Sequence, residues 1–263
     1  MSHADAIPLP ANDAAIACLH GARTGDLSLG NSHDEWSPQL ELPRSLWEIF
    51  SSADDAAGEA LALAFARTHR RHIDQDGIDQ DGAWLWVQDA SSIRRGGRPY
   101  LHGLPAEQRS NLIHVAARNA ADALWAMEEG VRCGALSFVI GEIAGDPKAL
   151  DFTASRRLVL AAERHGVPLY LVRREGYANL SAARLRWRVR PAPSSEQSWN
   201  ATAPGLPRVS AELFRGRGVR PGLFTLTHGI GDQEGYGHEP GHRLDLVPEL
   251  RDRSLESQHR QAG

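Results

Sequence analysis

The sequence has few of the features that would place it in several common protein classes. It has two cysteines in 263 residues, Cys18 and Cys133. They are far apart and match no metal-ligand spacing, which favours a reducing, cytoplasmic environment. No apolar run approaches the roughly 18–20 residues of a membrane span. The first thirty residues lack the basic start and apolar core of a signal peptide. We therefore expect a cytoplasmic protein without a membrane partner.

Motifs for catalysis and metal binding are also missing from the sequence. There is no G-x-S-x-G, no H-E-x-x-H and no cysteine with a clear partner histidine. The repeat DQDGIDQDG (74–82) resembles a calcium loop, but Leu85 stands where an EF-hand has its bidentate glutamate. His228, His238 and His242 lie among glycines without a fixed scaffold. We therefore predict no catalytic residue and no metal site.

Apolar runs separated by helical patterns dominate the middle of the chain. The runs are LWEIF (46–50), AWLWVQ (83–88), NLIHVA (111–116), ALSFVIGEI (135–143) and VPLYLVR (167–173). They do not alternate, which favours strands that are covered on both faces. Helices are predicted from the first run to about His69, after a cap at Asn119, and from Thr153 to His165. This order predicts an α/β fold with a largely parallel sheet and helices on both faces.

The pattern changes after residue 180. ARLRWRVR (183–190) alternates strictly, which predicts a strand with one solvent-exposed face. Arg184, Arg186, Arg188 and Arg190 share that face, and Trp187 belongs to the core face. The arginines either contact DNA phosphates or an acidic partner, or pair with the chain's own carboxylates. RVSAELFRGRG (208–218) and GLFTLTH (222–228) predict further, antiparallel strands.

Charge is distributed unevenly along the chain. Residues 1–90 carry 15 acidic and 5 basic side chains, a net of −10, whereas residues 151–190 carry 3 acidic side chains and 9 arginines, a net of +6. Such a polarised molecule can bind charged partners although its overall net charge is −4. The alternative is that the two regions face one another within the fold.

The stretch LWEIFSSADDAAGEALALAF (46–65) has the layout of a phosphate-binding loop, namely a strand, a loop of small residues and a helix. A nucleotide hydrolase has lysine and a hydroxyl residue where this chain has Glu59 and Ala60. Asp54, Asp55 and Glu59 would repel a triphosphate, at a cost of about 1 kcal/mol per close pair even in water. We therefore predict a degenerate loop that binds no nucleotide cofactor. Its residues are Ser51, Ser52, Asp54, Asp55, Gly58, Glu59 and Ala60.

Two further features lie at the predicted ligand end of the sheet. Glu142 lies at the end of the fourth apolar run, but it has no hydroxyl partner for a metal, so we expect a helix-capping or surface carboxylate. RRGGRPY (94–100) places Arg94, Arg95 and Arg98 in a loop. Such a loop either binds phosphate or a partner through its backbone and guanidinium groups, or is a solvated connection.

Several segments together resemble known RecA-like proteins. TGDLSL (24–29) and LPRSLWEIF (42–50) resemble the entry to the core of RecA recombinases. A closer resemblance is to the ImuA family, whose RecA-like members are encoded in bacterial damage-inducible mutagenesis cassettes. The blocks that carry it are WVQDASSIRRGGRPY (86–100), ARNAADALWAMEEGVRCGAL (117–136), GDPKALDFTASRRLVLAAERHGVPLYLVR (145–173) and SAARLRWRVRPAPS (181–194).

The resemblance implies a domain organisation and a set of partners. It predicts a RecA-like core over residues 41–228, with a poorly ordered segment at 1–40 and a flexible tail at 229–263. The family works in the SOS response beside ImuB, a Y-family polymerase homologue, and an error-prone C-family DNA polymerase. RecA and single-stranded DNA are further candidate partners. The resemblance therefore predicts a non-catalytic accessory or scaffold protein of translesion synthesis. A divergent RecA-like ATPase and an inhibitor of RecA filaments are the alternatives.

Overall fold

The structure is a computed structural model, and it describes residues 43–74, 82–104, 106–194, 200, 202–219, 221–230 and 242–248. Its strands are β1 (Leu46–Ser51), β2 (Trp84–Asp89), β3 (Leu112–Ala117), β4 (Val139–Ala144), β5 (Leu169–Arg174), β6 (Leu185–Ala192), β7 (Arg208–Gly216), β8 (Gly222–Ile230) and β9 (His242–Pro248). Its helices are α1 (Ala57–Asp74), α2 (Ala90–Gly96), α3 (Ala106–Ser110), α4 (Ala120–Arg132) and α5 (Phe152–His165), with a 3₁₀ turn at Leu101–Gly103.

The described strands form one sheet in the order β3-β2-β4-β5-β1-β6-β7-β8-β9. All pairs from β3 to β6 are parallel, and the pairs from β6 to β9 are antiparallel. The chain thus combines a parallel core, crossed by helices, with an antiparallel extension at its C-terminal side. This confirms the predicted RecA-like α/β fold.

Local sequence signals account for the ends of two helices. Asn119 accepts a hydrogen bond from the Asp122 amide (2.9 Å) at the start of α4, as the sequence predicts. Gly166 adopts the left-handed conformation (φ 69°) after α5, where a side chain would be strained. Helix α1 continues to Asp74, five residues beyond the predicted end near His69. The first glycine after the helix start that could end it is Gly77.

Two hydrophobic layers pack on opposite faces of the sheet. One joins α1 to the side chains of Trp47, Tyr170 and Trp187. The other joins α4 and α5 to the alternate positions of the same strands, including Leu46 and Leu171. The two-faced burial of β1, β2 and β5 confirms the expectation from their continuous apolar runs.

Strand β3 departs from that expectation. It lies at one end of the sheet, with β2 as its neighbour in the described part of the chain. Its burial is therefore partial, and Ile113 is 48% exposed. Apolar composition alone does not separate an edge strand from a central one.

Helices α2 and α3, the 3₁₀ turn and strand β9 were not predicted from the sequence. Helix α2 begins after Asp89, which accepts a hydrogen bond from the Ser92 amide (2.7 Å). Residues 94–100, which the sequence predicts to be a loop, include the end of this helix. Strand β9 lies within the segment that was predicted to be a flexible tail, and it pairs with β8 from Ile230 opposite His242 to Phe224 opposite Pro248. The alternation in RLDLV is short and follows a stretch of glycines and histidines, so it did not indicate a strand.

The predicted N-terminal segment 1–40 lies outside the described residues.

No helix in the described part of the chain is both long and apolar enough to cross a membrane.

Candidate functional site

The loop between β1 and α1 has the backbone path that its sequence predicts. Gly58 lies in the first turn of α1, close against β1 and β5. A β-carbon at this position would lie 2.7 Å from Ser51 Oγ and 2.8 Å from Val172 Cγ1, which is closer than such atoms approach. Glycine therefore allows the helix to pack against the strands, as it does in phosphate-binding loops.

The amino terminus of α1 is occupied by the chain's own carboxylate. Asp55 Oδ1 accepts a hydrogen bond from the Ala57 amide (2.8 Å). An anion is stabilised at this position by the free amides and the helix dipole. Asp54 is exposed, and its amide donates to Ser52 Oγ (3.2 Å). Asp55 therefore takes one of the interactions that a bound phosphate would make.

Glu59 points inward and forms a buried ion pair with Arg174, the last residue of β5. Arg174 Nε and Nη2 both lie 2.7 Å from Glu59 Oε1, and Nη1 donates to the carbonyl oxygen of Ala53 (3.1 Å). Both side chains are nearly inaccessible to solvent. Helix α2 closes the site from one side, because a β-carbon on Gly96 would lie 2.7 Å from Arg174 Nη2.

This geometry corrects the prediction of three carboxylates facing a ligand. Asp54 alone among them is exposed, Asp55 caps the helix, and Glu59 is neutralised by Arg174. The cation comes from a strand 115 residues away, so the loop sequence alone does not reveal it.

Glu142 is buried beneath the same arginine. Its Oε1 accepts a hydrogen bond from Trp86 Nε1 (2.6 Å), and its Oε2 accepts one from Gln88 Nε2 (3.0 Å). Arg174 Nε lies 3.6 Å from Glu142 Oε2. Burial, and then the charge of Glu59, raise the pKa of Glu142 to about 7. The prediction of a capping or surface carboxylate is therefore wrong, because Glu142 faces the α1 side of a central strand.

Gln88 extends this polar cluster to the edge of the sheet. Its amide nitrogen also donates to the Gly97 carbonyl (3.0 Å), and its oxygen lies 2.9 Å from His114 Nε2. Burial, together with the nearby charge of Arg98, lowers the pKa of His114. We call Glu59, Gln88, Glu142 and Arg174 the buried polar cluster. Three buried oxygens near the loop have no hydrogen-bond partner among the described residues: Ser51 Oγ, Glu59 Oε2 and Ser92 Oγ.

The residues at this position do not fit a nucleoside triphosphate with magnesium. Lys148, the one lysine of the sequence, is outside the loop, and Ala60 has no hydroxyl for a metal. Asp55 caps the helix, and the pair of Glu59 with Arg174 lies against the loop carbonyl of Ala53. No group of three or more potential metal ligands occurs within the described residues.

The arginines of β6 are not equally exposed. Arg186 is buried, donates from Nε to Glu48 Oε2 (2.7 Å), and lies over the ring of Phe50. Arg184 Nη2 donates to Glu163 Oε2 (2.8 Å). The predicted solvent-exposed face is therefore wrong for Arg186. It lies next to β1, whose Glu48 is on the same side of the sheet.

Further along β6 the arginine side chains reach solvent. Arg188 Nη1 donates to Glu212 Oε2 (2.8 Å), and its guanidinium lies over the Phe214 ring. Arg190 is exposed. Trp187 is buried on the opposite face, as predicted. Pairing with the chain's own carboxylates thus accounts for Arg184 and Arg186, and it accounts in part for Arg188.

The second arginine group is at the carboxyl end of β2. Arg94 and Arg95 belong to the last turn of α2, so the prediction that they lie in a loop is wrong. Arg94 donates to Ser91 Oγ (2.9 Å), and Arg95 forms an ion pair with Glu175. Arg98 is exposed beyond the helix.

Arg173, together with Arg174, is the functional candidate that the sequence argument missed. Arg173 Nη2 donates to Asp146 Oδ1 (2.7 Å) and to the Gly145 carbonyl (3.0 Å). Asp146 also accepts from the Tyr177 amide (3.0 Å), which ties the turns after β4 and β5 together. Two arginines at the end of an apolar strand were the available signal, since a central strand leaves such side chains inside.

The remaining sequence candidates lie mainly outside the described residues. Residues 75–81 of the calcium-loop-like repeat and His238 are not described, nor are the side chains of His228 and His242.

Comparison with known proteins identifies relatives over most of the chain. No protein-family model matches it. Two curated proteins named Protein ImuA, from the Caulobacter vibrioides strains NA1000 / CB15N and ATCC 19089 / CIP 103742 / CB 15, are each 32% identical over 242 residues. Each alignment covers 87% of this chain and 91% of the relative. Together with the RecA-like sheet and the replaced phosphate loop, this similarity shows that the chain belongs to the ImuA family.

Proposed function

We propose that the chain is a non-catalytic RecA-like accessory protein that assembles an error-prone translesion-synthesis complex in the SOS DNA-damage response. Its partners would be the ImuB-type polymerase homologue and the error-prone C-family DNA polymerase of the same cassette, with RecA as a further candidate. Membership of the ImuA family supports this assignment. The chain's contribution would be a rigid surface that holds the partners together.

The observation that carries the proposal is the buried polar cluster. In a RecA-like ATPase the loop supplies a cation, and the nucleotide supplies the anion. Here Glu59 supplies the anion and Arg174 the cation, at 2.7 Å and away from solvent. Opening this pair for a triphosphate would leave a buried charge without a partner, which typically costs 3–5 kcal/mol. The charges at the loop are thus matched without nucleotide, which supports a role in assembly.

Exposed apolar side chains supply a candidate protein contact. Tyr177 and Leu180 are 77% and 69% exposed. The segment that carries them is held by hydrogen bonds from the Tyr177 amide to Asp146 and from the Ala182 amide to Ser155 Oγ. A pre-ordered segment that presents large apolar groups loses little entropy on binding, and such groups are the usual anchors of protein interfaces.

Co-purification from cells that express the three cassette proteins tests the proposal. We expect the chain to retain the polymerase homologue equally in ATP, in ADP and in chelator, because no nucleotide step is involved. The Tyr177→Ala/Leu180→Ala variant should retain less of it. The matched control is Trp125→Ala, which removes a 65% exposed apolar side chain from α4.

Two outcomes would contradict the proposal. Failure of the wild-type chain to retain either polymerase would remove the adaptor role. Retention only in ATP with magnesium would favour the divergent ATPase. A RecA filament assay separates the remaining alternative, because an inhibitor shortens filaments in the absence of both polymerases.

A further inference from the structure

The antiparallel extension of the sheet has one packed face and one exposed face. On the packed face Trp187, Leu213 and Phe224 join the hydrophobic layer under α1. On the other face Arg188 and Arg190 of β6 and Arg208 of β7 are exposed to solvent. We call the exposed side of β6 and β7, with these three arginines, Ser210 and Glu212, the arginine face.

Strand register sets the spacing of these charges. Arg190 is opposite Ser210, and Ala192 is opposite Arg208. Arg190 and Arg208 are therefore diagonal neighbours, with about 7–8 Å between their positions. Arg188 lies two residues before Arg190, about 7 Å along the strand. Three arginines thus lie around Ser210, which is itself buried, on one face of the sheet.

The three arginines differ in how far they are neutralised. Arg188 is paired with Glu212 at 2.8 Å and lies over Phe214 at 4.7 Å. Arg190 and Arg208 have no carboxylate partner among the described side chains. Adjacent like charges on one face of a sheet are unfavourable unless something compensates them. Within the described side chains, the arginine face therefore presents two cations without a carboxylate partner and a third that is partly neutralised.

The surroundings of these cations identify the class of partner. No large exposed apolar residue within the described part of the chain belongs to β6, β7 or β8. The large exposed apolar residues of the described part lie elsewhere in the fold, and they are Tyr100, Leu101, Ile113, Trp125, Phe152, Leu160, Tyr177 and Leu180. A protein interface usually needs such an anchor, whereas guanidinium forks are the usual donors to phosphate. None of the described aromatic side chains of these strands is fully exposed as a platform for base stacking.

We propose that the arginine face binds the phosphate backbone of DNA without selecting bases. Arg190 and Arg208 contact the phosphates, and the ion pair with Glu212 reduces the contribution of Arg188. This inference goes beyond the adaptor role, because it gives the chain its own contact with the DNA on which the complex works. It is tested on the purified chain alone, so its failure is distinguishable from failure of polymerase binding.

Fluorescence anisotropy with labelled single-stranded and double-stranded oligonucleotides tests the proposal on the full chain. Binding at about 50 mM salt should weaken steeply as salt rises. The Arg190→Glu/Arg208→Glu variant should bind on the order of tenfold or more weakly. In Arg190→Ala/Arg208→Ala the slope of log affinity against log salt should fall by about 2, one unit for each lost phosphate contact.

A gain-of-binding variant makes the test independent of folding defects. Glu212→Gln leaves Arg188 without its carboxylate partner, and we expect it to bind DNA roughly two- to fivefold more tightly as another phosphate contact becomes available. The matched control for Arg190→Glu/Arg208→Glu is Arg94→Glu/Arg98→Glu, which makes the same charge change at exposed arginines near the carboxyl end of β2.

Several results would overturn the proposal. One is no DNA binding at low salt, and another is an affinity that depends on base composition. A third is a loss of DNA affinity in the Arg94→Glu/Arg98→Glu control that equals or exceeds the loss in Arg190→Glu/Arg208→Glu. Unchanged DNA binding by Arg190→Glu/Arg208→Glu would also overturn it. If that variant instead lost the polymerase homologue or self-association, the arginine face would be assigned to an acidic protein or to a second copy.

Discussion

Among single residues, Glu59 and Arg174 carry the main departure from a nucleotide site. They reverse the usual arrangement in which the loop is cationic and its ligand is anionic. Both are buried, so each carries a desolvation cost that the other offsets. Neither residue alone would be tolerated in this environment, which makes the pair a structural unit of the loop.

Removal of Arg174 should destabilise the protein strongly. In Arg174→Ala the buried Glu59 loses its counter-ion and the Ala53 carbonyl loses a donor. We expect the free energy of unfolding, measured by urea denaturation, to fall by about 3–5 kcal/mol. The double variant Glu59→Met/Arg174→Met should recover much of that loss, because no unpaired charge remains. A loss below about 1 kcal/mol in Arg174→Ala, the value of a surface pair, would contradict the account.

Glu142 predicts a pH dependence of stability. Burial raises its pKa from 4.5 to about 7 in the folded protein. Between these two values the folded protein holds a proton that the unfolded chain has released, so the free energy of unfolding should decrease as pH rises through this window. The stabilisation that protonated Glu142 gives the folded protein is fully present below pH 4.5 and is lost above about pH 7. Urea denaturation at intervals from pH 5 to pH 8 measures it.

The control for this pH dependence is Glu142→Gln. Glutamine imitates the protonated acid and cannot ionise, so the decrease in stability between pH 5 and pH 7 should become shallower. An unchanged slope in Glu142→Gln would show that other groups cause the pH dependence.

Residue roles were predictable where they depend on neighbours in the sequence. The Asn119 cap depends on a donor three residues away, and the core position of Trp187 depends on strand alternation. Arg174 and Glu142 could not be placed in this way. Their burial depends on partners from other strands and helices, and sequence spacing contains no information on which of several carboxylates a distant arginine meets.

At the scale of secondary-structure elements, β6 joins the parallel core to the antiparallel extension. It pairs with β1 on one side and β7 on the other. Trp187 fixes the strand against α1, with its ring 5.1 Å from the Phe65 ring and 5.8 Å from the Phe224 ring. The position of the arginine face therefore depends on this tryptophan.

Truncation of Trp187 should show that dependence. We expect Trp187→Ala to lower the free energy of unfolding by about 3–5 kcal/mol, because it removes a buried aromatic side chain. Trp187→Phe should cost much less, since Trp187 Nε1 has no hydrogen-bond partner among the described residues and its loss leaves no unpaired group. Trp125→Ala, at an exposed position, is the control and should change stability by less than about 0.5 kcal/mol. Equal effects at both tryptophans would contradict this packing.

Elements with strong periodicity were predicted from the sequence, and elements with weak local signals were not. The continuous apolar runs indicated β1, β2 and β5, and the alternation in ARLRWRVR indicated β6. Helix α2 has seven residues and follows a strand directly, so it offers too few turns for a helical pattern. The RLDLV segment of β9 is likewise short and follows a glycine-rich segment.

At the scale of the whole molecule, part of the uneven distribution of charge is neutralised by pairs within the described fold. Arg186 and Arg174, from the basic region, pair with Glu48 and Glu59, from the acidic region. The parallel sheet places these regions side by side through β1, β5 and β6. Internal pairing thus accounts for some arginines of the basic region, whereas others in the described part of the chain, such as Arg190, are exposed to solvent.

Nucleotide affinity tests the central claim most directly, namely that the Glu59–Arg174 pair fills the position of a bound phosphate. The full chain is titrated with a fluorescent ATP analogue, with and without magnesium, beside a RecA-type recombinase as a positive control. The account predicts no saturable binding up to about 1 mM, which corresponds to a binding free energy weaker than about −4 kcal/mol. Saturable, magnesium-dependent binding in the micromolar range, with the triphosphate at residues 51–60, would contradict it.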